Sequence, residues 1–207
     1  MEEEFHNHMR IPWHDYTRKS LGHPITEASL SEKASIIGRT GIMLLSCGTG
    51  AWRVRSSMNT LARELGITCT ADIGLLSIEY TCIDGGDCYT ESLCLFNTGV
   101  NTSKLYRMEL FVNKFATNCK KMSGDELHTL LDQIHEIHGF YSPPFLGLAA
   151  AVACCAFTFL LGGGPIEMFC AFLGAGAGNY LRAKMNQHHL TLFLCTAASV
   201  ALACVVY

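Results

Sequence analysis

The stretch from Gly48 to Gly66, GTGAWRVRSSMNTLARELG, combines closely spaced glycines with arginines, and such a combination could bind a phosphate group. A nucleotide-binding loop, however, follows a strand and continues with further glycines or with Gly-Lys-Ser/Thr. Here a helical pattern precedes the glycines, and neither continuation is present. The sequence therefore predicts a corner between two helices, with Thr49 as the N-cap of the second helix.

Arg53 is the residue of this stretch whose chemistry the sequence leaves open. It lies off the apolar stripe of its predicted helix and directly follows Trp52. The position suits a solvated arginine or one stacked on an aromatic ring. The functional alternative is that Arg53 contacts a bound anion.

A second polar group comes near the end of the charged part of the chain, where His128, Asp132 and His135 share one side of a predicted helix and His138 follows. Such spacings can hold a metal ion. The run HEIH is one residue short of the zinc motif HExxH, and the group borders an apolar stripe. We interpret it as the polar edge of a helix and predict no metal.

Nucleophilic catalysis finds no support in the sequence. Ser46 and Ser57 could be paired with these histidines only by assuming that they are close in space, and neither serine lies in a G-x-S-x-G turn. We therefore predict no catalytic residue and no cofactor, and we expect that the protein is not an enzyme.

The last third of the chain contains a single acidic residue, Glu167. An ionisable group in or at the mouth of a membrane span is costly and indicates a transport path or a proton relay. The alternative is an interfacial acid at the end of the preceding loop. Asn179 is a polar group deeper along the same predicted helix, and Gly174 and Gly178 have the spacing for close helix packing.

The charge distribution divides the chain into two parts that must position these residues. Of 15 Lys+Arg and 18 Asp+Glu, only Glu167, Arg182 and Lys184 come after Pro144. Apolar runs over residues 145–161, 165–181 and 190–207 could each cross a hydrocarbon core about 30 Å thick as a helix. The sequence predicts an α-helical transmembrane region over 143–207 with three visible spans.

Loop charges predict the orientation. The loop after the second span carries Arg182 and Lys184, whereas the GGGP loop after the first carries no charge, so the first part is expected in the cytoplasm. The eleven cysteines form no CxxC pair, which fits a reducing compartment. A net charge of −3 argues against a nucleic-acid partner and leaves membrane lipid as the expected surroundings of the last third.

For the part of the chain before the apolar runs, the sequence predicts a flexible tail over residues 1–28 and an α+β domain over 29–142. Its periodicities change from helix to strand and back in the order ααβββαα. SLSE (Ser29–Glu32) and SGDE (Ser123–Glu126) are capping-box patterns that begin the first and last of these helices. DGGD (Asp84–Asp87) predicts a tight turn between the last two strands.

The combination of these features resembles the bacterial threonine/serine exporter family over roughly residues 31–207. Family members carry a glycine, small residues, an aromatic and Arg-Val before a helix that ends in Leu-Gly, and later three glycines closely followed by an acid. The matching residues are Gly48, Ala51, Trp52, Arg53, Val54, Leu65 and Gly66, and then Gly162, Gly163, Gly164 and Glu167.

The resemblance implies a proton-driven secondary exporter of small polar solutes in the bacterial inner membrane, without a covalent step. The solutes would be threonine and serine or, as in split two-subunit members, small dicarboxylates such as succinate. In this interpretation Glu167 is the proton-coupling or substrate-facing acid and Asn179 a polar residue of the path. Arg53 becomes an anion contact in the cytoplasmic domain.

Two departures from the family pattern shape the expectations. Arg55 stands where the family usually has an acid, so a role for that carboxylate is not carried over. The family usually has about five spans in this half, so we expect a second hydrophobic subunit or a missing C-terminal half as partner. The rival hypothesis is a membrane-anchored α+β enzyme or regulatory ligand-binding domain, for which the spans are only a tether.

Overall fold

The computed structural model describes residues 11–17, 22–95, 98–137, 141–187 and 192–206. The chain divides into two compact units, and the division falls between residues 139 and 140. The first unit holds the mixed helices and strands, and the second holds the apolar helices.

Helix α1 (Leu30–Ser46) is the centre of the first unit. Every residue from Glu32 to Leu45 is buried, as expected of a helix that is covered on all sides. Two glycines make room for the neighbours: a Cβ atom on Gly38 would lie 2.3 Å from the Tyr80 hydroxyl, and one on Gly41 would lie 2.6 Å from Met58 Sδ. Both positions therefore require glycine for close approach.

The predicted helix corner after α1 is confirmed, but the predicted cap is wrong. Gly48 has φ +77°, which favours glycine, and turns the chain out of α1. The N-cap of α2 (Ala51–Glu64) is Gly50, and no side chain caps this helix. Thr49 precedes the cap, and its buried hydroxyl has no hydrogen-bond partner among the residues that the structure describes.

The three strands form the predicted antiparallel meander β1 (Thr68–Ile73), β2 (Ser77–Asp84) and β3 (Asp87–Cys94). Asp84 pairs with Asp87 across the two-residue turn, where Gly85 and Gly86 have φ of 58° and 107°. Two successive positive φ angles are what a tight hairpin turn of this hand requires. The core face of the sheet consists of Cys69, Ile78, Tyr80, Cys82 and Leu93.

Two further helices complete the predicted order ααβββαα. Helix α3 (Thr102–Lys114) begins at Asn101, whose side chain accepts a hydrogen bond from the Lys104 amide, and it runs into a π-helical turn (Phe115–Cys119). Helix α4 (Gly124–His135) begins with the complete Ser123–Glu126 capping box. At α1 the Ser29 hydroxyl accepts from the Glu32 amide, but the Glu32 carboxylate is buried against Gly124.

Two segments within residues 1–28, the range of the predicted tail, have regular structure. Trp13–Thr17 and Ile25–Glu27 form 3-10 turns. Ile25 is fully buried, and its amide donates to the Met122 carbonyl at 2.9 Å. The remaining parts of that prediction, residues 1–10 and 18–21, lie outside the described residues.

The described residues of the second unit form three helices, α5 (Pro143–Leu160), α6 (Pro165–Gln187) and α7 (Leu192–Val206), at the positions of the predicted spans. Among the described residues, α5 is the one helix that is long and apolar enough to cross a membrane. The apolar segment Phe193–Val205 of α7 is shorter, and α6 carries glycines, Asn179 and the charged pair Arg182 and Lys184. The number of spans therefore stays a prediction.

Candidate functional site

Arg53 lies on the surface of α2 in an ion pair. Its Nη1 donates to Glu109 Oε1 of α3 at 2.9 Å, and its guanidinium lies 5.5 Å from the centroid of the Trp52 ring. Both charged side chains are partly exposed, at 47% and 38%. The structure thus gives Arg53 the aromatic neighbour expected from the sequence and, in addition, a carboxylate partner from another helix.

Arg55, which stands where the resemblance predicts an acid, contacts the sheet. Its Nε donates to the Ala71 carbonyl at 3.0 Å and so ties α2 to β1. The carboxylate beside Arg53 comes from Glu109, which is distant in sequence. Next to Arg55 is a shallow groove that contains no acidic side chain; its lining residues are Trp52, Arg55, Ser56, Asn59, Thr60 and Arg63.

One glycine from each of the two family motifs, Gly66 and Gly162, ends a helix in the same way. Gly66 and Gly162 each follow the C-cap of a helix with positive φ, at 74° and 86°. After α2, the Ile67 amide donates to Ala62 O and the Gly66 amide to Arg63 O; after α5, the Gly163 amide donates to Thr158 O and the Gly162 amide to Phe159 O. Both ends are Schellman motifs, which satisfy the last carbonyls of a helix.

Glu167 and Asn179 are not brought together. Glu167 lies in the first turn of α6 and is exposed, with its carboxylate folded back over Gly164. A carboxylate in this position is stabilised by the helix N-terminus. Asn179 is also exposed and follows twelve residues later, which is about 18 Å along the helix axis.

The glycines of α6 lie on two faces of the helix, one packed against α7 and the other against α5. On one face, Cβ atoms on Gly174 and Gly178 would lie 3.0 Å from Ala203 O and 2.8 Å from Ser199 O of α7. On the other face, a Cβ on Gly176 would lie 3.1 Å from Ala151 Cβ of α5. Small residues thus let α6 approach the backbone of α7 closely.

A polar cluster lies in the first unit; the sequence indicated its members His128 and Asp132 but not their partner Arg39. Arg39 of α1 is 4% exposed and forms an ion pair with Asp132 of α4, through Nη2 and Oδ1. Its Nη1 reaches both Nδ1 (3.2 Å) and the carbonyl (3.0 Å) of His128. Trp13 lies over both: its ring centroid is 5.7 Å from Arg39 Cζ and 6.1 Å from the His128 ring centroid.

His128 is held as a neutral imidazole. Arginine can only donate, so Nδ1 accepts from Arg39. Ser35 gives its own proton to the Glu32 carbonyl, so its oxygen accepts from His128 Nε2 at 3.1 Å. Burial, together with the positive charges of Arg39 and His14, lowers the pKa of His128 to about 3.

His14 has the opposite charge state. Its Nδ1 lies 2.6 Å from Asp125 Oδ1 and its Nε2 lies 2.8 Å from Asp132 Oδ2. Ionised carboxylates accept only, so both ring nitrogens must carry a proton and the ring is an imidazolium. Hydrogen bonds to Asp125 and Asp132 raise the pKa of His14, against the effect of its partial burial. Burial alone would raise the pKa of Asp132, but the hydrogen bonds from His14 and Arg39 hold it below its usual value.

A cavity of about 740 Å³, which is partly open to solvent, adjoins this cluster. Its walls combine apolar side chains with the charged groups of the cluster; the lining includes Trp13, His14, Arg39, Ile42, Met43, Leu95, Asp132, His135 and Glu136. The volume lies within the range of small-molecule sites, which combine apolar walls with a few convergent polar groups.

The polar-edge interpretation of the α4 histidines is wrong for His128, which is fully buried. No group of metal-ligating side chains occurs among the described residues, and the guanidinium beside Asp132 would repel a cation there. His138 lies outside the described residues. Ser46 lines the cavity and donates to the Met43 carbonyl at 2.7 Å. One sequence signal could have indicated the cluster, namely a single arginine inside the apolar run IIGRTGIMLL.

A family model described as "Putative threonine/serine exporter" matches residues 35–207, which include both units of the chain. The comparisons with curated proteins and with solved structures give no match.

Proposed function

The chain belongs to the threonine/serine exporter family, as its sequence predicted, and from this premise we propose that it is a subunit or half of a proton-driven secondary exporter. The proposed solutes are threonine and serine or small dicarboxylates such as succinate. The observation that carries the proposal is the extent of the family match, which takes in the α+β unit together with the helical unit and its membrane-capable α5. The family is one of transporters, which favours a protein without catalytic activity.

The outer surface of the second unit supports its proposed place in the inner membrane as a multi-pass region. Its large apolar side chains face outward, including Leu161 (88% exposed), Phe193 (84%) and Val205 (84%). Such a surface would be unfavourable in water and suits lipid. Lys184 lies near the charged end of α6, 5.9 Å from the Tyr180 ring. Because positively charged ends of membrane helices favour the cytoplasm, we propose that this end and the first unit are cytoplasmic.

The proposed path residues support the need for a partner. Glu167 and Asn179 are exposed on the second unit, so its own helices do not enclose them. A polar path that includes both would require walls from elsewhere. We therefore propose that a second hydrophobic subunit or a C-terminal half completes the path, with Glu167 as the proton-coupling or substrate-facing acid.

Efflux tests this proposal directly. Cells without their own exporters are loaded with a threonine-containing dipeptide or with labelled succinate, and efflux is followed with this chain alone and with a short hydrophobic partner subunit. Efflux only with the partner supports a two-component exporter, and the solute that leaves identifies the substrate. Absence of efflux under both conditions, with both chains in the membrane, contradicts the proposal.

The role of Glu167 has its own test in the same assay. Glu167→Gln removes the charge and is expected to abolish efflux while membrane insertion stays normal. Glu167→Asp keeps the carboxylate and serves as the matched control, with partial activity expected. Unchanged efflux in Glu167→Gln would show that the residue is only an interfacial acid.

A regulatory ligand-binding domain is the second candidate function, because the first unit contains a cavity of small-molecule size beside a buried arginine. This candidate function predicts that Glu167→Gln leaves the affinity of the first unit for its ligand unchanged. The exporter proposal predicts that efflux depends on this residue.

A further inference from the structure

The turn Trp13–Thr17 is fastened to two different elements. On one side, His14 bridges Asp125 and Asp132 of α4, and the Thr17 hydroxyl makes a longer bond of 3.4 Å to Asp125 Oδ1. On the other side, the Tyr16 hydroxyl donates to Glu91 Oε1 of β3 at 2.7 Å. Trp13 and His14 also line the cavity beside Arg39, so the position of this turn determines how open that cavity is.

Only one of these fastenings depends on a proton that titrates near neutral pH. The bridge from His14 uses both ring nitrogens as donors, and a neutral imidazole has one N–H. Loss of a proton therefore leaves one carboxylate facing a lone pair at 2.6 or 2.8 Å, which is repulsive. Burial raises the pKa of the Tyr16 hydroxyl, so its bond to Glu91 persists over the same pH range.

We propose that Trp13–Thr17 is a proton-controlled strap: the His14 imidazolium holds it closed across Asp125 and Asp132, and deprotonation loosens its α4 side and widens the cavity beside Arg39. Tyr16 keeps the β3 side attached and acts as the pivot. The proposal rests on the geometry of the first unit and goes beyond export activity, on which it does not depend.

The groups around His14 fix the direction of the response. Facing it are Asp125, Asp132 and the neutral His128 from α4, and Arg39 from α1. Asp15 is its neighbour in the turn, and the nearest acid of β3, Glu91, is bound by Tyr16. The two carboxylates in direct contact outweigh the more distant guanidinium, which already pairs with Asp132.

The sign of the pH dependence follows from linkage. The pKa of His14 is raised in the closed state, so the contribution of this proton to closure is fully present below about 6.5, the pKa of a free histidine. The closed state is lost as the pH rises from this value through the raised pKa. Between the two pKa values, one proton is linked to opening, so the ratio of closed to open strap falls about tenfold per pH unit.

Trp13 provides a direct readout, because Trp52 is the only other tryptophan in the chain. In the full chain with Trp52→Phe, purified in detergent, we expect acrylamide quenching of Trp13 to increase with pH. The titration should involve one proton, and its midpoint should lie above 6.5. Constant quenching between pH 6 and 9 would overturn the proposal.

Variants assign the titration to His14. His14→Gln in the same background should remove the pH dependence, whereas the matched control His23→Gln, at an exposed histidine, should keep it. Asp125→Asn keeps the histidine but removes its first carboxylate, so the midpoint should fall towards 6.5. This second variant decides the matter if His14→Gln loses its native circular dichroism. A pH response that survives His14→Gln, or an unmoved midpoint in Asp125→Asn, would contradict the strap.

Discussion

Gly38 in the first unit and Gly178 in the second lie closest to different kinds of atoms, side-chain atoms in the first unit and a backbone atom in the second. In the first unit, the space beside Gly38 is filled by the ring and hydroxyl of Tyr80. In the second unit, the space beside Gly178 is filled by the backbone carbonyl of Ser199. One unit therefore uses a missing side chain to fit a particular large side chain, and the other uses it to bring two helix backbones together.

The buried residues show the same contrast. The first unit buries large side chains and a polar cluster around Arg39 and His128, each fixed by contacts distant in sequence. Among the described residues, the buried side chains of the second unit are small: Ala151, Cys195 and Ser199, beside Gly147, Gly174 and Gly178. Packing by small residues with apolar side chains outside is suited to lipid, where burial of apolar surface gives no driving force for helix association.

Of the substitutions considered, Arg39→Met should lower the free energy of unfolding the most, and the loss should be confined to the first unit. The substitution removes the donor to His128 Nδ1, to the His128 carbonyl and to Asp132, and loss of these hydrogen bonds from a buried charged group costs about 3 kcal/mol. The free energy of unfolding, measured by urea titration of Trp13 fluorescence in Trp52→Phe, should fall by this amount. The exposed Arg63→Met is the control, and equal stability of the two variants would contradict the structural role of the cluster.

Gly38→Ala should be the next largest change. The added methyl group overlaps the Tyr80 ring, and overpacking of this kind costs about 1–3 kcal/mol. The same urea titration measures it. Gly99→Ala is matched, because a Cβ on Gly99 meets no atom within 4 Å. If both variants unfold alike, the close approach of α1 and β2 is wrong.

The opposite charge states of His14 and His128 predict a stability maximum for the first unit near pH 6.5. Below this value the unfolded chain protonates His128 while the folded chain does not, because its folded pKa is about 3. Stability is therefore lost as the pH falls towards 3, by about 1.4 kcal/mol per pH unit. Above pH 6.5 the contribution of the His14 bridge declines in turn. Urea titrations from pH 4 to 9 check both arms, and His128→Gln should remove the acidic arm alone.

Gly178→Ala should disturb only the second unit. A methyl group would lie 2.8 Å from Ser199 O and separate α6 from α7. Cys195 reports this separation, because it is fully buried and lies one helical turn before Ser199 on the same face of α7. Its reaction with a membrane-permeant thiol reagent should become several-fold faster, while the exposed Cys204 should react as before. An unchanged rate at Cys195 would contradict the packing.

Arg53→Ala should have the smallest effect on stability. The pair with Glu109 is exposed and screened, and such pairs contribute at most about 1 kcal/mol. A double-mutant cycle with Glu109→Gln measures the coupling between the two residues. If Arg53→Ala also leaves efflux and expression unaltered, the residue belongs to the scaffold.

Local patterns in the sequence predicted much of the fold, because each depends on residues close in the chain. The order ααβββαα, the Gly85–Gly86 turn and the Ser123–Glu126 capping box are of this kind. The cluster around Arg39 could not be predicted in the same way. Its bonds join residues 89 to 118 positions apart, and no periodicity relates such positions.

The turn at Trp13–Thr17 was missed for a related reason. Five residues make too short an element to show a period, and the fastening by His14 and Tyr16 depends on partners in α4 and β3. The misassigned cap at Thr49 is an error of one residue: Gly50, with φ −64° and ψ 144°, is the N-cap, and this backbone conformation is open to threonine as well. For Glu167 and Asn179 the sequence located two polar residues that are exposed on α6, and their role in a path stays a proposal.

Because Gly38 and Tyr80 are in close contact, a larger residue at position 38 can be accepted only after position 80 has changed. A side chain at position 38 would meet the Tyr80 hydroxyl at 2.3 Å, and also its ring carbons Cζ at 2.4 Å and Cε1 at 2.7 Å. Tyr80→Phe therefore does not create enough room, and a shorter residue must first replace the ring. Relatives of this chain that carry a larger residue at position 38 should accordingly have lost the aromatic ring at position 80, so the two positions are expected to covary.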